Sequence, residues 1–186
     1  MTPLPVYLDR DGVINRNRRY YVRGIDDFIP LPGAIQSIVR LYRAGHPVVV
    51  VTNQSCIGRG LCDEDSVRAV NYHLSELVST AGGVLSGIYY CPHLPDDGCS
   101  CRKPATGMVD SAVRDLDLPS GGFIVGDAVS DMELGRNAGL RTIMVMTGRG
   151  REQLELIEST GLPGPWRVAE DISEAVDIIL SLNGLR

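Results

Sequence analysis

Short apolar runs closed by turn residues punctuate the chain at 4–8, 47–52, 85–90, 122–126 and 141–146. Runs of that length read as strands, and segments between them carry apolar residues at helical spacing. In 33–44, Ile35, Ile38, Val39 and Leu41 or Tyr42 share one face, and Gly45 marks the stop. In 64–80 the same spacing joins Val67, Val70, Leu74, Leu77 and Val78 behind a cap at Asp63. A last helix over about 172–182 opens with Asp171 and Glu174 in capping-box spacing. Alternation of this kind predicts an α/β fold, a three-layer, doubly wound parallel sheet. No repeat, low-complexity tract or linker interrupts it, so residues 1–186 read as a single domain, with Gly161–Pro165 as a turn between late elements.

Composition changes this picture little. The chain has 186 residues, 44% hydrophobic and 22% charged, enough for one full core. Its net charge of −5 predicts no cationic face for nucleic acid or an anionic membrane. The apolar run Val48–Val51 is far too short to span a bilayer, and Met1–Pro5 lacks the segments of a secretory signal. The expectation is a cytoplasmic monomer. Five cysteines occur, three of them between Cys91 and Cys101, and in a reducing compartment such crowding argues for metal over disulfides.

The chemistry lies where the strands end. The first closes on Asp9 and Asp11, the second on Thr52-Asn53-Gln54-Ser55, and the fourth on Gly126-Asp127, with Asp131 four residues on. The third leads through a cysteine-rich loop to Arg102-Lys103-Pro104. Open α/β sheets bind ligands beyond the carboxyl ends of their strands. Caps and turns also favour Asp and Thr, but that reading must accept four coincidences in order. Phosphoryl transfer uses them all: Asp9 as nucleophile, Asp11 to manage the proton, Thr52 and Lys103 to hold phosphoryl oxygens. Asp9 and Asp127, with the Asp11 backbone carbonyl, would offer Mg²⁺ an oxygen-only shell, with Asp131 supporting from outside it.

These residues resemble the four motifs of the haloacid dehalogenase (HAD) superfamily, and most closely its D-glycero-D-manno-heptose 1,7-bisphosphate 7-phosphatase family. The resemblance is carried by Leu8–Asn15, Thr52–Ser55, Arg59-Gly60, Ile88–His93, Cys101–Pro104 and Gly126-Asp127, and runs from about residue 6 to 148. It implies a Rossmann-like, HAD-like fold with the fourth and fifth strands beside the first. It also implies a Mg²⁺-dependent phosphatase that forms an aspartyl-phosphate on Asp9 and removes the C7 phosphate in heptose-nucleotide and lipopolysaccharide biosynthesis. Arg102 becomes a substrate-recognition residue. The gaps between strands leave room for a minimal cap or none. Two departures stand out: Cys56 where the family pattern usually has Gly, and Ala128 where some relatives place Lys.

Cys91, His93, Cys99 and Cys101 form a ligand set suited to tetrahedral, structural Zn²⁺; the other reading is a reduced, metal-free loop. The resemblance favours zinc. Cys56 and Cys62 read as small packing or surface residues; His46 and His73 read as structural or solvated. The loop Asn17-Arg18-Arg19-Tyr20-Tyr21, about one residue longer than the family's, reads as an anion trap or as a solvated basic turn. With Asn53, Gln54, Ser55, Arg59 and Arg102 it would surround a small sugar bisphosphate, one phosphate on Asp9 and the other on arginines. Three other readings stay open. They are a histidinol-phosphate phosphatase, a non-enzymatic phospho-receiver, and a zinc-bound interaction module with a dead site.

Overall fold

The computed structural model describes residues 3–182. The single-domain expectation for 1–186 and the reading of the amino terminus therefore fall partly outside the described residues. Six strands form one parallel sheet: β1 (Val6–Leu8), β2 (Val48–Asn53), β3 (Gly87–Cys91), β4 (Phe123–Gly126), β5 (Arg141–Val145) and β6 (Arg167–Ala169), in the order β3-β2-β1-β4-β5-β6. β1 pairs on one side with β2 (Leu8 opposite Val50) and on the other with β4 (Leu8 opposite Val125). The order reverses at β1, which opens a crevice at its carboxyl end. β6 was not read from the sequence; its Arg-Val-Ala stretch is too short and too exposed to show periodicity.

Helices α1 (Ala34–Arg43), α2 (Glu64–Thr80) and α6 (Ile172–Ser181) cover one face; α3 (Gly107–Leu116), α4 (Val129–Asn137) and α5 (Gly150–Thr160) cover the other. Side chains alternate along each strand accordingly. Val6, Leu8, Val48 and Val50 meet Ile38, Leu41, Val70, Leu74 and Ile179. Tyr7, Val49, Val51 and Ile124 meet Met108, Val109 and Leu134. Both faces being buried, the central strands run without a charged residue through Val6–Leu8, Val48–Val51 and Phe123–Val125, and each enclosed aliphatic side chain contributes about 1.5–3 kcal/mol.

The helix boundaries follow local chemistry. The Asp63 carboxylate accepts from the Ser66 N–H at 2.7 Å and caps α2. Asp171 caps α6 through the Ser173 and Glu174 N–H groups, while Glu174 takes the Glu170 N–H rather than closing a capping box on Asp171. In α1, Ile38, Val39 and Leu41 are buried and Tyr42 is exposed, which settles the choice between Leu41 and Tyr42. His46 is buried with Nδ1 2.7 Å from the Leu4 carbonyl oxygen, and His73 packs edge-on against Phe28. Between β1 and α1 the chain adds only a 3-10 turn, Ile25–Asp27, so no cap domain is inserted there. Among the described residues no helix is long and apolar enough to cross a membrane.

Candidate active site

β1, β2 and β4 deliver Asp9 and Asp11, Thr52 and Asn53, and Asp127 to one crevice. Lys103 enters from the loop between β3 and α3. Its buried ammonium lies 2.8 Å from Asp9 Oδ1 and 2.6 Å from Asp131 Oδ1, and donates to the Val51 carbonyl oxygen at 3.1 Å. Asn53 fixes the Lys103 backbone from both sides, accepting from its N–H at 3.1 Å and donating to its carbonyl oxygen at 3.3 Å. Side chains as far apart in sequence as 9 and 131 thus meet on one nitrogen.

The charges here are strongly coupled. Burial pushes the Asp9 carboxyl up to about 7, with Lys103 pulling back and Asp131 and Asp127 pushing further. Burial and then Asp131 push Asp127 up to about 6. Burial would lower Lys103, but Asp131 and Asp9 hold it above the ordinary ammonium range. Three buried carboxylates against one ammonium leave the pocket short of positive charge. Asp127 Oδ1 is buried without a hydrogen-bond partner, its nearest cation being the Arg149 guanidinium at 3.7 Å. One oxygen from each of Asp9, Asp127 and Asp131 lies within 4.8 Å of the others. A hard divalent cation with oxygen ligands fits this donor set. Asp131 already spends one oxygen on Lys103 and the other on the Ala128 N–H, whereas Asp127 Oδ1 has capacity to spare.

The backbone closes tightly over Asp127. A Cβ at Gly12 would lie 2.1 Å from Asp127 Oδ2, and one at Gly148 would lie 2.2 Å from the same atom; both residues have positive φ. The Arg149 N–H donates to Asp127 Oδ2 at 2.8 Å, and Thr147 Oγ1 donates to the Gly12 carbonyl oxygen at 2.7 Å. The sequence reading missed Thr147–Arg149. Its signal was a polar turn after a strand, the same kind that marked the other three.

Asp11 sits in a separate harness. The Arg10 guanidinium, wholly buried, donates to Asp11 Oδ2 at 3.0 Å and to Asn71 Oδ1 of α2 at 3.0 Å. Asn15 Nδ2 and Gln54 Nε2 each donate to Asp11 at 2.8 Å, and Gln54 Nε2 also reaches Thr52 Oγ1 at 2.8 Å. Burial would push the Asp11 carboxyl up, but Arg10, Asn15 and Gln54 hold it below the ordinary carboxylate range. The two aspartates of one tripeptide are therefore driven in opposite directions: without a metal, Asp9 favours its protonated form and Asp11 its ionised form.

Above the carboxylates opens a cavity of about 430 Å³, lined by Asp9, Asp11, Asn17, Arg18, Arg19, Tyr21, Val22, Thr52, Asn53, Ser55, Arg59, Arg102, Lys103, Ser130 and Arg149. Of the residues named from sequence for substrate, Tyr20 is absent: it is 65% exposed, with the Arg19 guanidinium 5.5 Å from its ring centre. Gln54 lies beneath the lining, spent on Asp11 and Thr52. Arg102 donates to Ser55 Oγ at 2.6 Å and to the His93 carbonyl oxygen at 3.1 Å, and Arg18 pairs with Asp27 at 2.9 Å. Tyr21 holds a left-handed backbone, φ 65°, a cost that a side chain at a binding mouth can carry. Ser130 and Arg149 were not anticipated.

Behind Arg102 the sulfurs of Cys91, Cys99 and Cys101 lie 3.2–3.6 Å apart, with His93 Nδ1 3.3 Å from Cys101 Sγ and 3.5 Å from Cys91 Sγ. Zn–S bonds of about 2.3 Å put tetrahedral sulfurs roughly 3.8 Å apart, so the cluster could hold such an ion after a slight expansion. One expectation is overturned. Cys56 and Cys62 are not separate packing residues but a disulfide pair, with Cα atoms 5.5 Å apart, inside the range for such a bond. The turn after Ser55 folds back on itself within six residues, which the sequence reading did not foresee.

A family model described as HAD-hyrolase-like matches residues 100–175. The chain is similar to the D-glycero-beta-D-manno-heptose-1,7-bisphosphate 7-phosphatase of Bordetella bronchiseptica, 40% identical and covering 94% of this chain and 97% of that protein. It is also similar to the enzyme of that name from Pseudomonas aeruginosa, 41% identical over 93% of this chain and 96% of that one. Among solved structures, the B. bronchiseptica D,D-heptose 1,7-bisphosphate phosphatase complexed with magnesium and phosphate superimposes with a TM-score of 0.88, at 38% identity, covering 96% of this chain and 99% of that one.

Proposed function

The chain belongs to the D-glycero-D-manno-heptose 1,7-bisphosphate 7-phosphatase family of HAD-like hydrolases, and we propose that it removes the C7 phosphate of that sugar bisphosphate. The observation that carries this reading is the pairing of Asp9 and Asp131 with Lys103, with Asp127 grouped beside the two carboxylates, beneath a mouth lined by five arginines, 18, 19, 59, 102 and 149. A monophosphate needs the floor only. A mouth so rich in guanidinium suits a second phosphate, and it disfavours the cationic histidinol phosphate.

Mg²⁺ held by Asp9, Asp127 and the Asp11 backbone carbonyl would supply charge neutralisation for the phosphoryl group. The chain's own residues do the rest. Asp9 attacks phosphorus in line with the leaving sugar oxygen and forms an aspartyl-phosphate. Lys103 and Thr52 hold equatorial oxygens, and Lys103 steadies the Asp9 carboxylate through its 2.8 Å contact. Asp11 protonates the departing alkoxide in the first half and activates water in the second. In the free site Arg10, Asn15 and Gln54 favour its ionised form. An arriving phosphate dianion raises its proton affinity by like-charge repulsion, which suits the first half.

Zinc at Cys91, His93, Cys99 and Cys101 would crosslink a loop with no apolar face and hold the His93 carbonyl and Arg102 in position. The unit works as one domain over residues 1–186, as a cytoplasmic monomer whose mouth is complete within one chain. The test compares kcat/KM for both heptose 1,7-bisphosphate anomers, fructose 1,6-bisphosphate and histidinol phosphate. A heptose bisphosphate should lead by at least roughly tenfold; preference for histidinol phosphate would overturn the substrate assignment, and single-turnover labelling without release would favour a receiver.

A further inference from the structure

We propose that Cys56 and Cys62 are a reversible dithiol–disulfide site that sets how firmly the Arg59 loop holds the substrate's second phosphate. The proposal rests on the bisphosphate reading above for its effect on turnover, though not for the site itself. Cys56 is wholly buried, Cys62 half-buried, and the bond between them closes residues 56–62 into a ring that contains Arg59. The four-donor cluster of Cys91, His93, Cys99 and Cys101 is complete without either thiol.

The ring is held mostly by its own bonds. Leu61 N–H donates to the Cys56 carbonyl oxygen at 2.9 Å, Gly60 N–H to that of Ile57 at 2.9 Å, and Arg59 N–H to that of Ser55 at 3.0 Å. A link to the cysteine-rich loop runs from Gly58 N–H to the Pro92 carbonyl oxygen at 3.1 Å. Both flanks are anchored: Asp63 caps α2, and Gln54 donates to Asp11 and Thr52. Cys56 Sγ lies 3.9 Å from Gln54 Oε1, so the sulfur abuts the residue that steadies the proton-handling aspartate. Between those anchors the disulfide is the one covalent restraint on Arg59. Without it, only those backbone hydrogen bonds hold the ring, and substrate binding must meet a larger ordering cost at Arg59.

Disulfides in a reducing compartment are typically transient and responsive. The exchange partner is a small dithiol. Its first thiolate attacks Cys62 Sγ, the more accessible sulfur; the Cys56–Cys62 bond breaks and Cys56 leaves as a thiolate that takes a proton. The second thiolate attacks its own sulfur in the mixed disulfide and releases Cys62, which takes the second proton. Two electrons and two protons pass from the dithiol to the protein, and the oxidised dithiol reverses the sequence.

The test poises the whole, zinc-loaded protein in oxidised or reduced dithiothreitol, with the thiols counted by alkylation mass spectrometry. On reduction, KM for the bisphosphate should rise about fivefold with kcat within about twofold, and an aryl monophosphate should be unaffected. The melting temperature should fall by roughly 5 °C, since a short ring is opened. Amide exchange at Gly58–Leu61 should quicken about tenfold. Cys62→Ser should match the reduced protein in both buffers. Failure of the oxidised couple to pair the thiols, or equal exchange rates at 58–61 in the two states, would overturn the site. Equal KM values with pairing verified would overturn its functional effect. No bisphosphate turnover in any sample, with the exchange difference intact, would instead overturn the substrate reading and leave the site supported.

Discussion

The floor and the mouth of the cavity are built on opposite plans. On the floor, Asp9, Asp127, Asp131 and Lys103 are buried, coming from the ends of β1 and β4, the first turn of α4 and the loop before α3, and Lys103 bridges Asp9 and Asp131. At the mouth, charge comes from arginines on loops, some of them tied by one or two partners, as Arg18 is to Asp27 and Arg102 to Ser55 and His93. Coupled buried charges tolerate little change, because removing one strands the rest. Partly exposed cations can be altered singly at small cost to the fold. The chemistry thus resides where the sheet dictates geometry, and selectivity where loops can vary.

That contrast predicts a descending series of effects. Asp9→Asn should lower kcat by at least roughly 10⁴-fold while the protein stays folded, since the shape is kept and the nucleophile lost; turnover and circular dichroism check this. Gly12→Ala should cost about 10²-fold through displacement of Asp127, whose Oδ2 would lie 2.1 Å from the new methyl. It should also weaken magnesium dependence, read as the concentration for half-maximal rate. Arg102→Ala, at the mouth, should raise KM for a bisphosphate roughly tenfold and leave a small aryl phosphate nearly unchanged. A mouth residue that lowered kcat as far as Gly12→Ala would erase the distinction.

The smallest effect is a linkage. Asp9 and Asp127 have folded-state values raised to about 7 and about 6, above the ordinary carboxylate value. The folded protein without magnesium therefore holds those protons more tightly than the unfolded chain. Their contribution is fully present below about pH 4 and is lost as pH climbs through 6 and 7. Melting of metal-free protein should accordingly drop by a few degrees between pH 5 and 8. Added Mg²⁺ should restore more at pH 8 than at pH 5, because it competes with the same protons.

The floor was legible in the sequence because its residues follow strands, and apolar strand plus polar terminus is a local signal. Asp9, Asp11, Thr52 and Asp127 could be found that way, and so could the capped helix at Asp63. Arg149 carries the same signal after β5 and was passed over, since it lies within no motif of the resembling family. The mouth was less legible. Tyr20 and Tyr21 are neighbours of like chemistry, and only the left-handed turn at Tyr21 decides which one faces the cavity. Cys56 and Cys62 escaped because pairing depends on a fold-back set by hydrogen bonds within 55–62, which composition does not encode. The short β6 was missed because its pairing to β5 is non-local.

The nucleophile on the floor is the claim on which the rest depends, and trapping its adduct tests it directly. Asp11→Asn supplied with Mg²⁺ and an aryl phosphate, whose leaving group needs no proton, should form the intermediate and hydrolyse it slowly. Acid quench and peptide mass spectrometry should then find a phosphoryl group on Asp9. A burst of product with Asp9 unmodified, or with the phosphoryl group on another residue, would contradict the account.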